Sequence, residues 1–296
     1  MHVYKLLRVT RPRFWIYLIW PYMVWIVAAY PDMTLRSSWW VWWWACFFLI
    51  PANLYLYGIN DLYDRETDHH NPKKTTYEAR VEKKEYTTLL LAIGAMLLVG
   101  AWLFYAQWAV WAWKQELTYA LGAFVVLWWA YSAWPLRCKT RPFLDSLSNV
   151  LYIMPWLFGY YMAWGSELGR WFVAACAWAM AMHTYSALPD IAVDKQAGIT
   201  TTAVWLWQQK TVLYCAALWL LAIGAATTVI WRWARVWWVP YIWMCMRARA
   251  ASPERLWQLY TWFPSINTLV GGFLFWFFLY FHLFDFITAL IDRIHF

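Results

Sequence analysis

Charge is what this chain lacks most. Only 14% of its 296 residues are charged, against 64% apolar, where a soluble domain carries about a quarter charged residues. That shortfall excludes an ordinary water-soluble enzyme. It is laid out as repeated apolar stretches of roughly 17–23 residues, the length that crosses a bilayer core as a helix. Cysteine is also sparse: Cys46, Cys138, Cys176, Cys215 and Cys245 lie far apart, with no CxxC pair and no His at ligand spacing. Four of the five fall inside apolar stretches, so they read as small core residues rather than disulfide or metal partners. A cleavable signal peptide is not expected either, because the basic start (Lys5, Arg8, Arg11, Arg13) leads straight into a full-length span.

The apolar stretches number nine, at approximately 14–30, 38–59, 87–107, 117–134, 147–164, 170–189, 211–231, 236–246 and 262–290. The eighth is short and contains Pro240, so a kinked, tilted or partly inserted segment is expected there. The polar connections test this count. With the amino terminus inside, the cytoplasmic segments hold 18 of the 24 Lys and Arg, and the opposite side holds six. That is a clear positive-inside bias. The net charge of +8 therefore reports membrane orientation rather than nucleic-acid binding. The expectation is an all-α, polytopic protein of the cell membrane. It forms a single transmembrane domain over residues 1–296, with its amino terminus and polar loops cytoplasmic and its carboxyl terminus outside.

Tryptophan is in excess, at 30 residues. Many sit mid-span rather than at the headgroup level where such rings are favoured, and they read chiefly as bulk apolar filling. A minority could line a pocket for a carbocation or polyene.

Against this apolar background stand two acidic clusters. Asn60-Asp61-Leu62-Tyr63-Asp64-Arg65-Glu66-Thr67-Asp68 closes the second span, and Asp190-Ile191-Ala192-Val193-Asp194 closes the sixth. At 100° per residue, Asn60, Asp61, Asp64 and Asp68 share one helix face over roughly 10 Å, and Asp190 and Asp194 share another. Carboxylates on such an edge are costly unless something cationic binds there. The candidate is Mg²⁺ holding a diphosphate, since that ion takes hard oxygen ligands and keeps waters and substrate phosphates besides. Both clusters fall on the cytoplasmic face, so one site can contain both.

Cations lie next to these acids in the loops. Lys73 and Lys74 follow the first cluster and Lys195 follows the second. Arg137, Lys139 and Arg141 occupy the connection after the fourth span, and Arg11 and Arg13 precede the first. Metal and basic groups together stabilise the charge that grows on a departing diphosphate. About half of these cations, Lys83 and Lys84 foremost, are expected to anchor loops to acidic lipid instead. His183 reads as a packed or lipid-facing histidine rather than a base.

At these motifs the sequence resembles the UbiA-type intramembrane prenyltransferases. Their first signature, NDxxDxxxD, is matched by Asn60, Asp61, Asp64 and Asp68; their second, DxxxDxxxGxxT, by Asp190, Asp194, Gly198 and Thr201. Within the family, the stretches Leu49–Asp61, His70-Asn71-Pro72-Lys73-Lys74, Arg11–Trp15 and Ser148–Tyr152 resemble the lycopene elongase branch. One departure stands out. Relatives carry Tyr-x-x-x-Lys after helix four, but Tyr131 is followed there by Pro135, which leaves Arg137 or Lys139 to serve.

The resemblance implies nine helices around a central cavity, open to lipid and capped by cytoplasmic loops. It implies Mg²⁺ on Asn60, Asp61, Asp64, Asp68, Asp190 and Asp194, with Asp64, Asp194 and Tyr131 as catalytic residues. Diphosphate would be bound by Arg11, Lys73, Lys74, Arg137, Lys139 and Lys195. The implied partners are an isoprenyl diphosphate donor, dimethylallyl diphosphate, and a lipophilic acceptor from the bilayer, lycopene or a related carotenoid. Two rival classes remain open: the same chemistry on a phenolic, chlorin or glyceryl-lipid acceptor, and a non-enzymatic transporter or inactive scaffold. Transport sites are expected near the bilayer midplane, whereas these acids sit at helix ends.

Overall fold

The computed structural model describes residues 1–28, 38–64, 78–110, 115–163, 167–226, 236 and 238–294, excluding the side chains of 28, 110 and 281–294. Among the described residues the chain is entirely helical. A short α1 (Val3–Val9) precedes α2 (Ile16–Ala28), α3 (Trp39–Leu49) and α4 (Pro51–Tyr63). There follow α5 (Tyr86–Val110), α6 (Gln115–Ser132), α7 (Leu144–Ser148) and α8 (Met154–Met162). The remainder is α9 (Arg170–Ser186), α10 (Ile191–Gln196), α11 (Thr202–Ala226), α12 (Val239–Ala248) and α13 (Pro253–Ile294). Three helical stretches, Lys83–Ala109, Thr202–Ala226 and Pro253–Tyr280, are long and apolar enough to cross a bilayer.

The expected count of nine spans is not reproduced as nine long helices. The second span is two helices, α3 and α4, with Ile50 at φ −119°, ψ −60° between them. Pro51 has no N–H to continue α3, and the carbonyls freed by the break find another donor. The Asn53 side-chain amide donates to Phe48 O at 3.0 Å and to Leu49 O at 2.9 Å. The fifth span is likewise broken into α7, a 3₁₀ turn over Asn149–Ile153, and α8, which has Pro155 in its first turn. Pro240 begins α12 rather than kinking it, a position where its missing N–H costs nothing. α13 begins about nine residues before its expected start, whereas α11 is kinked at Trp207 (φ 61°, ψ 166°), so the helix beyond the kink starts close to the expected 211.

Two apolar cores organise the molecule. One joins α2, α3, α4, α6 and α8 through Tyr22, Trp44, Phe48, Phe124 and Phe158. The other joins α9, α11, α12 and α13 through Tyr185, Trp219, Tyr241 and Phe263. Many other described tryptophans face outward, such as Trp39, Trp102 and Trp276, where lipid would cover them. At the polar end, α1 is clamped to the segment before α5, with Lys5 Nζ 2.5 Å from Glu85 Oε2 and Arg8 Nη2 bonded to Glu78 O at 3.3 Å. Arg13 Nη2 reaches Thr261 O at 3.0 Å and so ties the amino-terminal turn to α13.

The second acidic motif owes its local shape to its glycine and threonine. Ile199 N bonds Asp194 O at 2.9 Å and Gly198 N bonds Lys195 O at 3.2 Å, the paired closure of a helix that ends on a left-handed residue. Gly198 has φ +71°. Thr201 then caps α11, accepting from Val204 N at 3.3 Å.

Two substitutions test this account by thermal unfolding in detergent. A Cβ on Gly198 would meet open space, so Gly198→Ala should cost only the left-handed strain, about 1–2 kcal/mol. No measurable cost would mean the turn is not left-handed. Asn53→Leu should destabilise by about 1–3 kcal/mol through the two carbonyls left without donors, and an unchanged midpoint would deny Asn53 that role.

Candidate active site

A cavity of about 810 Å³ lies where the two apolar cores meet. Its walls come from the first half of the chain (Tyr57, Asn60, Asp64, Trp128, Tyr131, Lys139) and from the second (His183, Asp190, Asp194, Tyr260). The two acidic motifs, about 130 residues apart in sequence, thus share one chamber.

Asn60 and Asp61 lie in the last turn of α4, and Asp64 is its C-cap. Asn60 Oδ1 accepts from Ser132 Oγ at 3.1 Å and from Lys139 Nζ at 2.8 Å. The same ammonium is 2.6 Å from Asp64 Oδ1, and Arg137 Nη2 is 3.6 Å from that oxygen. Lys139 rides on a 3₁₀ turn, Cys138–Thr140, that follows Arg137 in the left-handed region at φ 39°. Both cations named in place of the Tyr-x-x-x-Lys lysine, Lys139 and Arg137, thus approach Asp64.

Asp61 is disposed differently. It is buried, does not line the cavity, and faces Arg11, whose Nη2 lies 3.0 Å from Asp61 Oδ1 and 3.0 Å from Glu78 Oε2. Arg11 also lies over the Tyr57 ring at 4.5 Å. Two carboxylates and an aromatic face suit a planar guanidinium, and they hold Arg11 at φ 51° just before Pro12, a conformation few residues adopt. Arg11 and Glu78 both line the cavity.

Asp190 and Asp194 enter from the opposite wall, on the 3₁₀ turn Leu188–Asp190 and on α10. Lys195 does not follow them: its ammonium sits 4.5 Å above the Trp207 ring and does not line the cavity. Asp68, Lys73 and Lys74 lie outside the described residues.

Away from the acids the walls are aromatic, and five rings close a circuit. Phe14 stacks on Tyr17 with centroids 5.6 Å apart; Tyr17 meets Tyr152 at 6.2 Å, and Tyr152 meets Trp128 at 5.4 Å. Trp128 meets Tyr57 at 6.5 Å, and Tyr57 returns to Phe14 at 6.1 Å. Tyr131 stacks on Trp128 at 5.5 Å. Ring faces carry negative potential, and a cation among them is stabilised without any formal counter-charge. Among the described tryptophans only Trp128 lines the cavity.

Sequence reasoning missed Glu78, the aromatic circuit and Asp145, and it placed His183 among packed or lipid-facing residues. His183 lines the cavity. Asp145 lies fully buried behind it. The available signal was that Asp145 is the one acid in its connection, three residues before Ser148-Asn149.

The geometry is that of one chamber lined both by hard-oxygen and cationic groups and by π faces. Comparison with known proteins agrees. A lycopene elongase/hydratase of Haloferax volcanii is 39% identical over 264 residues, 88% of this chain and 84% of that protein. One from Halobacterium salinarum is 38% identical over 276 residues, 88% of this chain and 92% of that protein. The structure of a UbiA homolog from Archaeoglobus fulgidus bound to DMAPP and Mg²⁺ has the same fold, with a TM-score of 0.67 at 19% identity over 93% of this chain and 99% of that one. The pattern of the UbiA prenyltransferase family matches residues 18–263, and with that match the chain belongs to the family as a membrane-embedded prenyltransferase.

Proposed function

We propose that this protein transfers the dimethylallyl group of dimethylallyl diphosphate to lycopene or a related carotenoid drawn from the bilayer. The observation that carries the reading is the shared chamber: both acidic motifs, Lys139 and the aromatic circuit line one cavity. The acceptor assignment is supported by the two elongase/hydratase relatives.

Mg²⁺ fits the donor set. Asp64, Asp190 and Asp194 present only carboxylate oxygens to the cavity. Among the described residues no three His, Cys, Asp or Glu converge tightly enough to hold an ion alone. That suits an ion that takes one or two carboxylates and completes its shell with water and substrate phosphate. Asp64, Asp190 and Asp194, with Asn60 and Asp68, would hold it, and bound there it would neutralise charge on the diphosphate as the C–O bond lengthens.

The chain's own groups do the rest. Lys139 and Arg11 supply positive charge within the chamber, with Arg137 next to Asp64 and Lys73 and Lys74 as further candidates from the segment after it. Lys195, seated on Trp207, is assigned no contact. Asp61 acts through Arg11, fixing the guanidinium over Tyr57. Ionisation leaves an allylic cation against Tyr131, Trp128 and their neighbours, and the terminal double bond of the acceptor attacks it. Exclusion of water by the aromatic walls keeps that cation from hydrolysis. The positive-inside bias favours a cytoplasmic mouth in the cell membrane, with the amino terminus inside and nine spans around the cavity.

Membranes containing the protein, given Mg²⁺, labelled dimethylallyl diphosphate and lycopene, should place label in a longer carotenoid. EDTA, Asp64→Ala and Asp190→Ala should each reduce turnover by about 10³-fold, the several kcal/mol a metal ion contributes. Diphosphate release with no labelled carotenoid would move the acceptor to another lipid. Lys139→Met should lower kcat/KM for the donor by about 10–100-fold through one lost charge-assisted contact. A variant as active as the wild type would remove Lys139 from diphosphate binding.

A further inference from the structure

The reaction leaves one proton unaccounted for. When the acceptor double bond attacks the allylic carbon, the new C–C bond leaves a positive charge on the acceptor's other alkene carbon. A neutral product requires either that an adjacent C–H bond give its electron pair to a new double bond, or that water add and lose a proton. One proton leaves in both cases.

We infer that His183 accepts this proton, with Asp145 as the residue that positions and charges it. The inference rests on the prenyl-transfer reading above.

His183 lies in the last turn of α9 and lines the cavity. Its ring meets Tyr131 edge-on, with centroids 5.9 Å apart and planes at 83°. It therefore borders the aromatic wall where a carbocation would rest, with Asp190 also in range. Its Nε2 is 3.9 Å from Asp145 Oδ2.

Asp145 is rigidly held. Thr202 N donates to its Oδ2 at 2.9 Å, and the Thr202 hydroxyl donates to its Oδ1. That hydroxyl accepts from Phe143 N at 2.6 Å, so its hydrogen is committed to Asp145. Among the described residues no Lys or Arg pairs with Asp145; the basic group it faces is His183. A fully buried carboxylate is costly without a partner, and an imidazole that becomes imidazolium during turnover provides one.

An Nε2–H turned toward Asp145 leaves Nδ1 as the basic nitrogen. The proton from C–H or added water passes to Nδ1, Asp145 stabilises the imidazolium, and the proton later leaves to water at the mouth. Nothing is oxidised or reduced. The other ionisable groups around His183 are Asp190, on the turn after α9, Tyr131 on α6, Tyr152 across the cavity, and Tyr214 of α11, which bonds Ser146 at 3.2 Å beside Asp145. The tyrosines are neutral near pH 7, so the nearby fixed charges are the two carboxylates.

His183→Gln should leave donor KM and diphosphate release within about threefold of the wild type. Coupled carotenoid should fall by about 10²-fold, the range for losing a general base, with unreacted cation appearing as dimethylallyl alcohol. In the wild type, kcat should fall on the acid side as His183 becomes protonated, and in the variant that limb should disappear. Added imidazole should partly restore coupling to His183→Ala, which a merely structural role would not allow. Asp145→Asn should lower kcat more than it changes KM. Wild-type coupling with an unchanged pH profile in His183→Gln would overturn the inference and make the departing diphosphate the base. Proportional loss of release and coupling, without imidazole rescue, would overturn it too. Failure of the wild type itself to release diphosphate is a separate result, which removes the prenyl-transfer reading and this inference with it.

Discussion

The contact on which this site depends is the Lys139 ammonium set between Asn60 and Asp64. It lies 2.8 Å from one and 2.6 Å from the other. Removing a lysine and an aspartate from water into an apolar bundle costs several kcal/mol per ion unless their geometry compensates. Here the pair also fixes the loop after α6 against the end of α4, so the cavity has a defined polar wall. Arg11 does the same on the other side of α4, joined to Asp61 and Glu78. The two cations straddle one helix end.

That arrangement changes how the first motif is read. Four polar positions at helical spacing look equivalent in sequence, yet the three described ones take different surroundings once α4 is packed. Asn60 and Asp64 face the chamber, and Asp61 faces Arg11. The second motif divides as well. Asp190 and Asp194 face the chamber, while Gly198 and Thr201 close one helix and start the next. A motif of this kind records both the groups that touch a ligand and those that hold the backbone in place.

Periodicity and composition made the class of fold, both acidic motifs and their shared face legible, because each rests on local spacing. The break at Pro51 was marked by the proline itself, but its tolerance depends on Asn53 turning back to two carbonyls. Glu78, Asp145 and His183 were not legible as a set. Packing places them on or behind one cavity from segments 38 to 105 residues apart, and none carries a spacing signal of its own. The left-handed backbone at Arg11 was hidden for a similar reason. There the guanidinium meets Asp61, Glu78 and the Tyr57 ring, three contacts far away in sequence.

The combination of ionised groups and aromatic rings around one cavity suits the charges that prenyl transfer separates. The leaving group carries negative charge and needs cations, and the fragment it leaves behind carries positive charge and must avoid them. A chamber lined throughout with carboxylates would capture that fragment as an ester, and one lined throughout with lysine would prevent its formation. π faces stabilise a cation without offering it a bond, so the aromatic circuit is the compatible wall. In a medium of low dielectric such interactions are stronger than in water, and an apolar bundle supplies that medium. The scarcity of charge that first marks this chain as a membrane protein is therefore also a condition for its chemistry: the few ionised groups it retains act across a chamber in which little else screens them.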